Sequence, residues 1–182
     1  MNTDLSSYNN SWFEPGSFIK RMAWHYTCCI FFKSGLFPFY RLKVFFLRLF
    51  GANIGKGVLI KPFVNIKYPW LLSVGNHVWI GENVWIDNVA HVHIGDNSCI
   101  SQGACLLTGN HNYKKKSFDL VPGRITLEQG VWIGAQSIVC PGVTCRDHSI
   151  LSVGSVATRD LEPFFIYRGN PAAKVRERII VS

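Results

Sequence analysis

Residues that could carry out chemistry are few in this sequence, and the most distinctive of them is His111. It lies in a stretch, residues 107–124, where an otherwise regular repeat stops. Histidine is the side chain whose ordinary pKa lies nearest neutral pH, and at the root of an insertion the last ordered turn would fix the direction of its imidazole. We therefore single out His111 as the candidate functional residue.

The six cysteines predict no chemistry of their own. Cys28 and Cys29 are adjacent, the other four fall on repeat positions, and no two are spaced as a C-x-x-C motif. We interpret them as reduced thiols that pack in the interior.

The element that must position His111 is a six-residue repeat, which runs from Ile54 to Thr158. An aliphatic residue, often followed by Gly, is followed four positions later by a small or β-branched residue. This period predicts one short strand and one turn per hexad, and three hexads per coil of an all-β solenoid over residues 54–163. The aliphatic positions are Ile54, Ile60, Val74, Ile80, Ile86, Ile94, Ile100, Leu127, Ile133, Val139, Cys145 and Leu151.

The spacing of these positions predicts which residues stack. Ile54, Val74 and Ile94 recur at the interval of one coil, and adjacent coils should lie about 4.8 Å apart, as strands in any sheet do. The same interval predicts that His91 lies one coil beneath His111.

Two features depart from a plain solenoid and indicate working surfaces. Leu127 follows Leu106 after an insertion of about a dozen residues, and insertions in repeat proteins usually map to the functional face. The pleat also turns Trp79, Trp85 and Trp132 outward, which predicts a subunit contact or a ligand groove.

The first 53 residues differ in composition from the repeat. Residues 1–16 are polar and predicted to be loose. They lack the basic start and the apolar run that are typical of a signal peptide. Residues 17–53 are aromatic and basic and predict a helical arm, divided at Pro38 and ending near Gly51. The arm either packs over the open end of the solenoid or binds an anionic membrane surface.

Charge bears on partners and location. Residues 15–81 contain nine Lys or Arg and no acid, whereas the rest of the chain is nearly balanced. This asymmetry indicates an anionic surface nearby, but no nucleic-acid-binding motif accompanies it. We expect a cytoplasmic protein, at the inner face of the membrane if the arm binds lipid.

Several motifs together resemble one known family. They are the hexads, Thr108-Gly109-Asn110-His111, Val131-Trp132-Ile133-Gly134, Pro141-Gly142-Val143 and Gly169-Asn170-Pro171-Ala172. The chain is similar to the hexapeptide-repeat acyltransferases with a left-handed parallel β-helix, and most similar to the colanic-acid biosynthesis acetyltransferase group. The resemblance supplies the handedness, which the usual crossover rule would not predict. We also expect a short C-terminal cap helix within residues 164–182.

The resemblance implies a homotrimer with active sites between subunits, acetyl-CoA as acyl donor, no metal, and His111 as general base. It places the cofactor against a set of residues in the second half of the chain, namely Trp132, Ala135, Val153, Thr158, Arg159, Lys174 and Arg176. It does not carry over to the acceptor. Our own hypotheses for acceptor binding are Asp87, Asn88 and His91.

Three functions remain open on this reasoning. The first is O-acetylation of a sugar hydroxyl in a surface polysaccharide or its precursor. The second is N-acetylation of an amino sugar. The third is a histidine-metal β-helix of the γ-carbonic-anhydrase type, which would need three converging imidazoles among His77, His91, His93 and His111. An inactive scaffold that binds acetyl-CoA without turnover is a further alternative.

Overall fold

A computed structural model of the chain describes residues 2–181, and its body is a parallel β-solenoid. The short strands that form it are, in chain order, β1 (Asn53–Ile54), β2 (Leu59–Ile60), β3 (Asn65–Ile66), β4 (Leu72–Val74), β5 (Trp79–Ile80), β6 (Trp85–Asp87), β7 (Val92–Ile94), β8 (Cys99–Ile100), β9 (Cys105–Leu107), β10 (Ile125–Leu127), β11 (Trp132–Ile133), β12 (Ile138–Val139), β13 (Thr144–Cys145), β14 (Ile150–Leu151), β15 (Val156–Ala157), β16 (Phe165–Gly169) and β17 (Ala172–Glu177).

The strands form three sheets, which we call faces A, B and C. Face A has the order β1-β4-β7-β10-β13, face B the order β17-β16-β14-β11-β8-β5-β2, and face C the order β15-β12-β9-β6-β3. Ile54 pairs in register with Val74, and Val74 pairs with Ile94, as the repeat predicted. The aliphatic repeat positions point inward and form one continuous core, with side chains such as Ile86 and Ile133 fully buried.

The outward side chains differ among the faces. On face A they are polar and stack as Asn53, Ser73, His93, Thr126 and Thr144. On face B they are mainly apolar and stack as Leu59, Trp79, Cys99, Trp132, Ile150 and Ile166. On face C they stack as Asn65, Trp85, Cys105, Ile138 and Val156. Faces B and C therefore carry largely apolar ladders, and the predicted outward tryptophans lie on them as exposed side chains.

Glycine at the second hexad position serves close packing between coils. A Cβ on Gly55 would lie 2.5 Å from the carbonyl carbon of Gly75, and one on Gly134 would lie 2.6 Å from the backbone N of Val153. Neither glycine has a positive φ. The glycine is thus required because the next coil's backbone lies against it, and not because the turn needs a left-handed residue.

The insertion leaves the solenoid at the corner between faces C and A. The chain departs after β9, and β10 resumes directly above β7, with Ile125 paired to Val92. The Ile125 N–H donates to the His91 carbonyl at 3.2 Å, so the neighbour of His91 in the next coil is Arg124. The prediction that His91 stacks beneath His111 is wrong, because the insertion removes His111 from the strand register.

The arm contains two helices, α1 (Phe18–Thr27) and α2 (Tyr40–Leu49), with a π-helical turn at Cys28–Phe32. The Trp24 indole N–H donates to the Ile66 carbonyl at 2.8 Å, and Lys43 donates to the Lys61 carbonyl at 2.9 Å. Burial lowers the pKa of Lys43. These contacts hold the arm against the first coil. Among the described residues, no helix has the length and apolar character needed to span a bilayer.

The C-terminal segment corrects one prediction. Instead of a cap helix, β16 and β17 form an antiparallel hairpin around Gly169 and Pro171, and β16 pairs with β14 to extend face B. An exposed last strand needs partners for its backbone N–H and C=O groups, and the hairpin supplies them. A helix would leave the edge of β14 unpaired.

The N-terminal segment, residues 2–16, was predicted to be loose. In the structure it contains a short 3-10 helix at Leu5–Ser7 and lies along the corner between faces C and A. Tyr8 and Phe13 meet aromatic partners in the body, and Asp4 forms an ion pair with Lys116 at 3.3 Å.

Candidate active site

The insertion that carries His111 is a hairpin-like loop with two antiparallel arms. Asn110 and Val121 exchange backbone hydrogen bonds of 3.1 and 2.7 Å, and His111 bridges to Leu120. Asn112 N–H donates to the Asp119 carbonyl at 2.8 Å. This pairing fixes the backbone on both sides of His111, so its imidazole is held by an ordered element although it lies outside the solenoid.

Thr108 anchors the root of the loop. Its side chain is fully buried, and its hydroxyl donates to the Asp87 carbonyl at 2.9 Å while accepting from the Ala90 N–H at 2.9 Å. The Gly123 N–H donates to the Thr108 carbonyl at 2.7 Å and closes the loop. Thr108 therefore joins the loop to the corner of the coil beneath it.

Phe118 orients the His111 imidazole from two sides. Its carbonyl oxygen lies 2.8 Å from His111 Nδ1, and its ring stacks on the imidazole at 4.5 Å between centroids with an 8° interplanar angle. A carbonyl can only accept, so Nδ1 of the neutral ring must carry the proton and donate it. Nε2 is then left with a free lone pair, the form that a general base requires.

Phe118 is the residue of the candidate site that the sequence did not reveal. Its φ of +52° is in the left-handed region, which is uncommon for a bulky aromatic residue and marks local strain. Its contact with His111 depends on the pairing of the two loop arms, and neither spacing nor residue type signals that pairing.

Three predicted cofactor residues meet on face B. Trp132, Ala135 and Val153 line a groove of about 450 Å³ that also reaches Ser101 and Ile166. The Trp132 indole donates to the Ser101 hydroxyl at 2.9 Å, which fixes the ring at the wall of the groove.

The four other predicted cofactor residues do not lie together in the structure. Arg176 lines a depression beside Trp132 at the end of the same face. Lys174 already has partners in its own chain. Its ammonium lies 2.6 Å from Glu162 and 3.4 Å from the centre of the Phe165 ring. Thr158 and Arg159 are exposed beyond β15 on face C. Within one chain they do not line the groove that contains Trp132.

The predicted acceptor residues lie in the corner below the loop and differ in availability. Asn88 is buried, with its amide donating to the Tyr68 carbonyl at 2.6 Å and accepting from the Tyr68 N–H at 3.0 Å, so it holds the corner together. His91 Nε2 lies 3.4 Å from the Ser73 hydroxyl. Burial, and then the Arg124 and His93 charges, lower the pKa of His91 and so favour its neutral form.

Asp87 lines a cavity of about 480 Å³ between α1 and face C. Its carboxylate forms an ion pair with Lys67 at 2.8 Å, and Arg21 and Trp85 also line this space. Among the described residues, no group of three His, Cys, Asp or Glu side chains is placed to hold a metal ion.

The thiols of the four repeat cysteines are poor nucleophiles. Burial, and then the charge of Asp87, raises the pKa of Cys105 to about 11. Burial likewise raises the pKa of Cys99, Cys140 and Cys145. A thiol with a raised pKa remains protonated at neutral pH and reacts slowly.

Comparison with known proteins places the fold and site in context. No family model matches the chain. It is 36% identical over 177 residues to the provisionally named colanic acid biosynthesis acetyltransferase WcaF of Escherichia coli (strain K12), with 97% of each chain covered. It is 31% identical over 129 residues to the galactoside O-acetyltransferase of that organism, which covers 69% of this chain and 64% of the relative.

Among solved structures, the chain resembles the hexapeptide-repeat containing acetyltransferase VCA0836 of Vibrio cholerae O1 biovar eltor, determined with acetyl coenzyme A. The TM-score is 0.79 at 21% identity, with 89% of this chain and 88% of the other covered. The likeness confirms the predicted left-handed parallel β-helix.

Proposed function

Because the chain belongs to the hexapeptide-repeat acetyltransferases, we propose that it transfers the acetyl group of acetyl-CoA to a sugar hydroxyl of a surface polysaccharide or its precursor. The full-length similarity to WcaF supports the sugar acceptor. The single observation that carries the chemistry is the 2.8 Å contact between His111 Nδ1 and the Phe118 carbonyl, since it leaves Nε2 free to act as a base.

The reaction needs one proton relay. His111 Nε2 takes the proton from the acceptor hydroxyl as that oxygen attacks the thioester carbonyl carbon. The tetrahedral intermediate then collapses, the C–S bond breaks, and the imidazolium returns the proton to the coenzyme A thiolate. Direct transfer fits the raised pKa values of Cys99, Cys105, Cys140 and Cys145, since none of these thiols is activated to hold the acetyl group.

Acetyl-CoA lies along face B in this proposal. The pantetheine arm follows the groove formed by Trp132, Ala135 and Val153, and Arg176 pairs with a phosphate at its end. Thr158 and Arg159 contribute from a neighbouring subunit, since they do not line this groove in their own chain. Lys174 contributes only if it leaves Glu162.

The assembly is a homotrimer with active sites between subunits. The family resemblance implies the number three, and the apolar ladders on faces B and C support the contact between copies. Trp79 is 59% exposed in the single chain and Trp85 is 45% exposed, which is unfavourable unless another surface covers them. Light scattering should give the mass of three chains, whereas a single-chain mass at micromolar concentration would remove this part of the proposal.

Asp87 remains our candidate for acceptor binding. It is a carboxylate beside the root of the His111 loop, in the wall of an open cavity. If Asp87→Ala leaves the acceptor KM and kcat unchanged, the assignment is wrong.

The arm supports contact with an anionic membrane surface. Its exposed apolar side chains include Phe18 at 68%, Ile19 at 80% and Leu36 at 82%, and basic residues are interspersed with no acid. Apolar insertion combined with attraction to anionic headgroups is how interfacial helices bind. The protein should float with vesicles that contain anionic lipid and stay behind with neutral ones; failure to co-migrate with either would exclude the contact.

The acceptor chemistry is tested by the stability of the product. Purified protein, isotopically labelled acetyl-CoA and a set of polysaccharide precursors should yield a product that carries one acetyl group. An ester on a sugar hydroxyl is lost in mild alkali, whereas an amide survives. An alkali-stable product would contradict O-acetylation and favour the amino sugar, and no product with any sugar would contradict the proposed function.

A further inference from the structure

Residues 2–16, which we call the strap, are attached to the tip of the His111 loop. The Asp4 N–H donates to the Lys116 carbonyl at 2.9 Å, and the Asp4 carboxylate lies 3.3 Å from the Lys116 ammonium. The same carboxylate accepts from the Ser6 N–H at 3.1 Å and so starts the 3-10 helix. One end of the strap is thus bound to the loop by both backbone and charge.

The other end of the strap is attached to the corner of the first coil. The Phe13 ring lies 6.4 Å from the Tyr68 ring, and a Cβ on Gly16 would lie 3.3 Å from the Trp70 ring. Beyond Gly16, Ser17 caps α1, which is itself fixed to the solenoid through Trp24. The strap therefore runs along the corner from which the His111 loop emerges, and it is held at both ends.

Tyr8 lies between these attachments and borders the imidazole. Its ring centroid is 6.0 Å from that of His111 at 53°, and the side chain is half-buried. Phe118 already covers one ring face of His111 and occupies Nδ1. Tyr8 therefore places an aromatic ring beside the imidazole, although Tyr8 lies outside the loop and more than 100 positions before His111 in the chain.

We infer that Tyr8 is an acceptor-positioning residue and that its ring forms one wall of the space where the sugar binds. The inference rests on the proposed function. A hydroxyl that gives its proton to Nε2 must come within about 3 Å of that nitrogen, so the attached sugar ring must occupy the volume immediately beside the imidazole. A ring centred 6.0 Å from the imidazole centre is close enough to contact a sugar in that volume. Ligand sites are commonly lined by aromatic side chains, and tyrosine adds a hydroxyl that can form a hydrogen bond.

Kinetics separate this role from a merely structural one. In Tyr8→Ala, the acceptor KM should rise by roughly tenfold, the effect of losing one apolar contact, while the acetyl-CoA KM stays unchanged. The acceptor KM of Tyr8→Phe should stay close to the wild-type value, because this variant retains the aromatic ring. The control is Leu5→Ala, in the same strap but 65% exposed, which should change neither constant. An unchanged acceptor KM in Tyr8→Ala, or an equal rise in both KM values, would overturn the inference.

A second measurement does not depend on the enzymatic function. Diethyl pyrocarbonate acylates an unprotonated imidazole nitrogen, and mass spectrometry of the His111 peptide reports the rate for this residue alone. His111 of the Tyr8→Ala variant should react severalfold faster than His111 of the wild type, because the Tyr8 ring no longer shields Nε2. His111 of the Leu5→Ala variant should react at the wild-type rate. Equal rates in all three proteins would show that Tyr8 does not border the reactive nitrogen and would overturn the inference, even if no acceptor sugar had been found. Faster modification in a protein that acetylates no sugar would instead support the position of Tyr8 and count against the proposed function.

Discussion

The His111→Ala variant should lose at least about a hundredfold in kcat while its Kd for acetyl-CoA stays unchanged. Removing the imidazole removes the group that takes the hydroxyl proton, but it does not touch the groove on face B where the cofactor lies in our proposal. The measurement is steady-state kinetics together with calorimetric binding of acetyl-CoA. A loss of turnover with intact cofactor binding separates the role of a base from that of a structural residue.

The matched control for this variant is His93→Ala. His93 is an exposed histidine on the polar face A, in the ladder that contains Ser73 and Thr126. Its replacement should leave kcat within a factor of about two, as is usual for exposed positions with no buried partner. If His111→Ala retained wild-type turnover, the proton would leave the acceptor by another route and the mechanism would fail.

The Thr108→Val variant should lower the free energy of unfolding by about 1–3 kcal/mol, because valine keeps the shape of the buried threonine but leaves the partly buried Ala90 N–H without its acceptor. It should also reduce kcat by roughly tenfold or more. Thr108 joins the loop to the coil beneath it, and a displacement of a catalytic group by about 1 Å can cost up to a hundredfold. Urea denaturation and kinetics on the same protein measure both effects.

Thr126→Val is the control for this exchange. Thr126 is half-buried in the polar ladder of face A, between His93 and Thr144. It should show neither the loss of stability nor the loss of turnover. If Thr108→Val were as stable and as active as wild type, the loop would be positioned by its own pairing, and the anchor at its root would not matter.

The repeat could be interpreted from sequence because its information is local. Alternation of Trp79 and Ile80, or of Trp132 and Ile133, shows which side chain points outward, since a strand turns successive residues to opposite sides. The regular interval then sets the register between coils, and the structure pairs Ile54, Val74 and Ile94 as predicted. The outward tryptophans and the groove beside Trp132 follow from the same rule.

Register arguments failed where the chain left the repeat. His91 was expected to stack on His111, but the backbone passes from β9 through the loop and returns at Arg124, so Arg124 takes the place above His91. The C-terminal segment was expected to form a helix, yet it forms a hairpin because the last strand of face B needs a hydrogen-bonding partner. In both cases the requirement of a distant strand outweighed the local pattern.

The sequence by itself determined the solenoid, its inward and outward residues, and the position of His111 in the one long insertion, because period and residue type encode them locally. Only the tertiary structure decided how His111 is held. The Phe118 carbonyl reaches Nδ1 through pairing of the two loop arms, Thr108 joins the loop to the coil below, and Tyr8 arrives from the other end of the chain. These contacts join segments that are distant in sequence and that no short-range pattern relates. They form only when the folded solenoid brings those segments together.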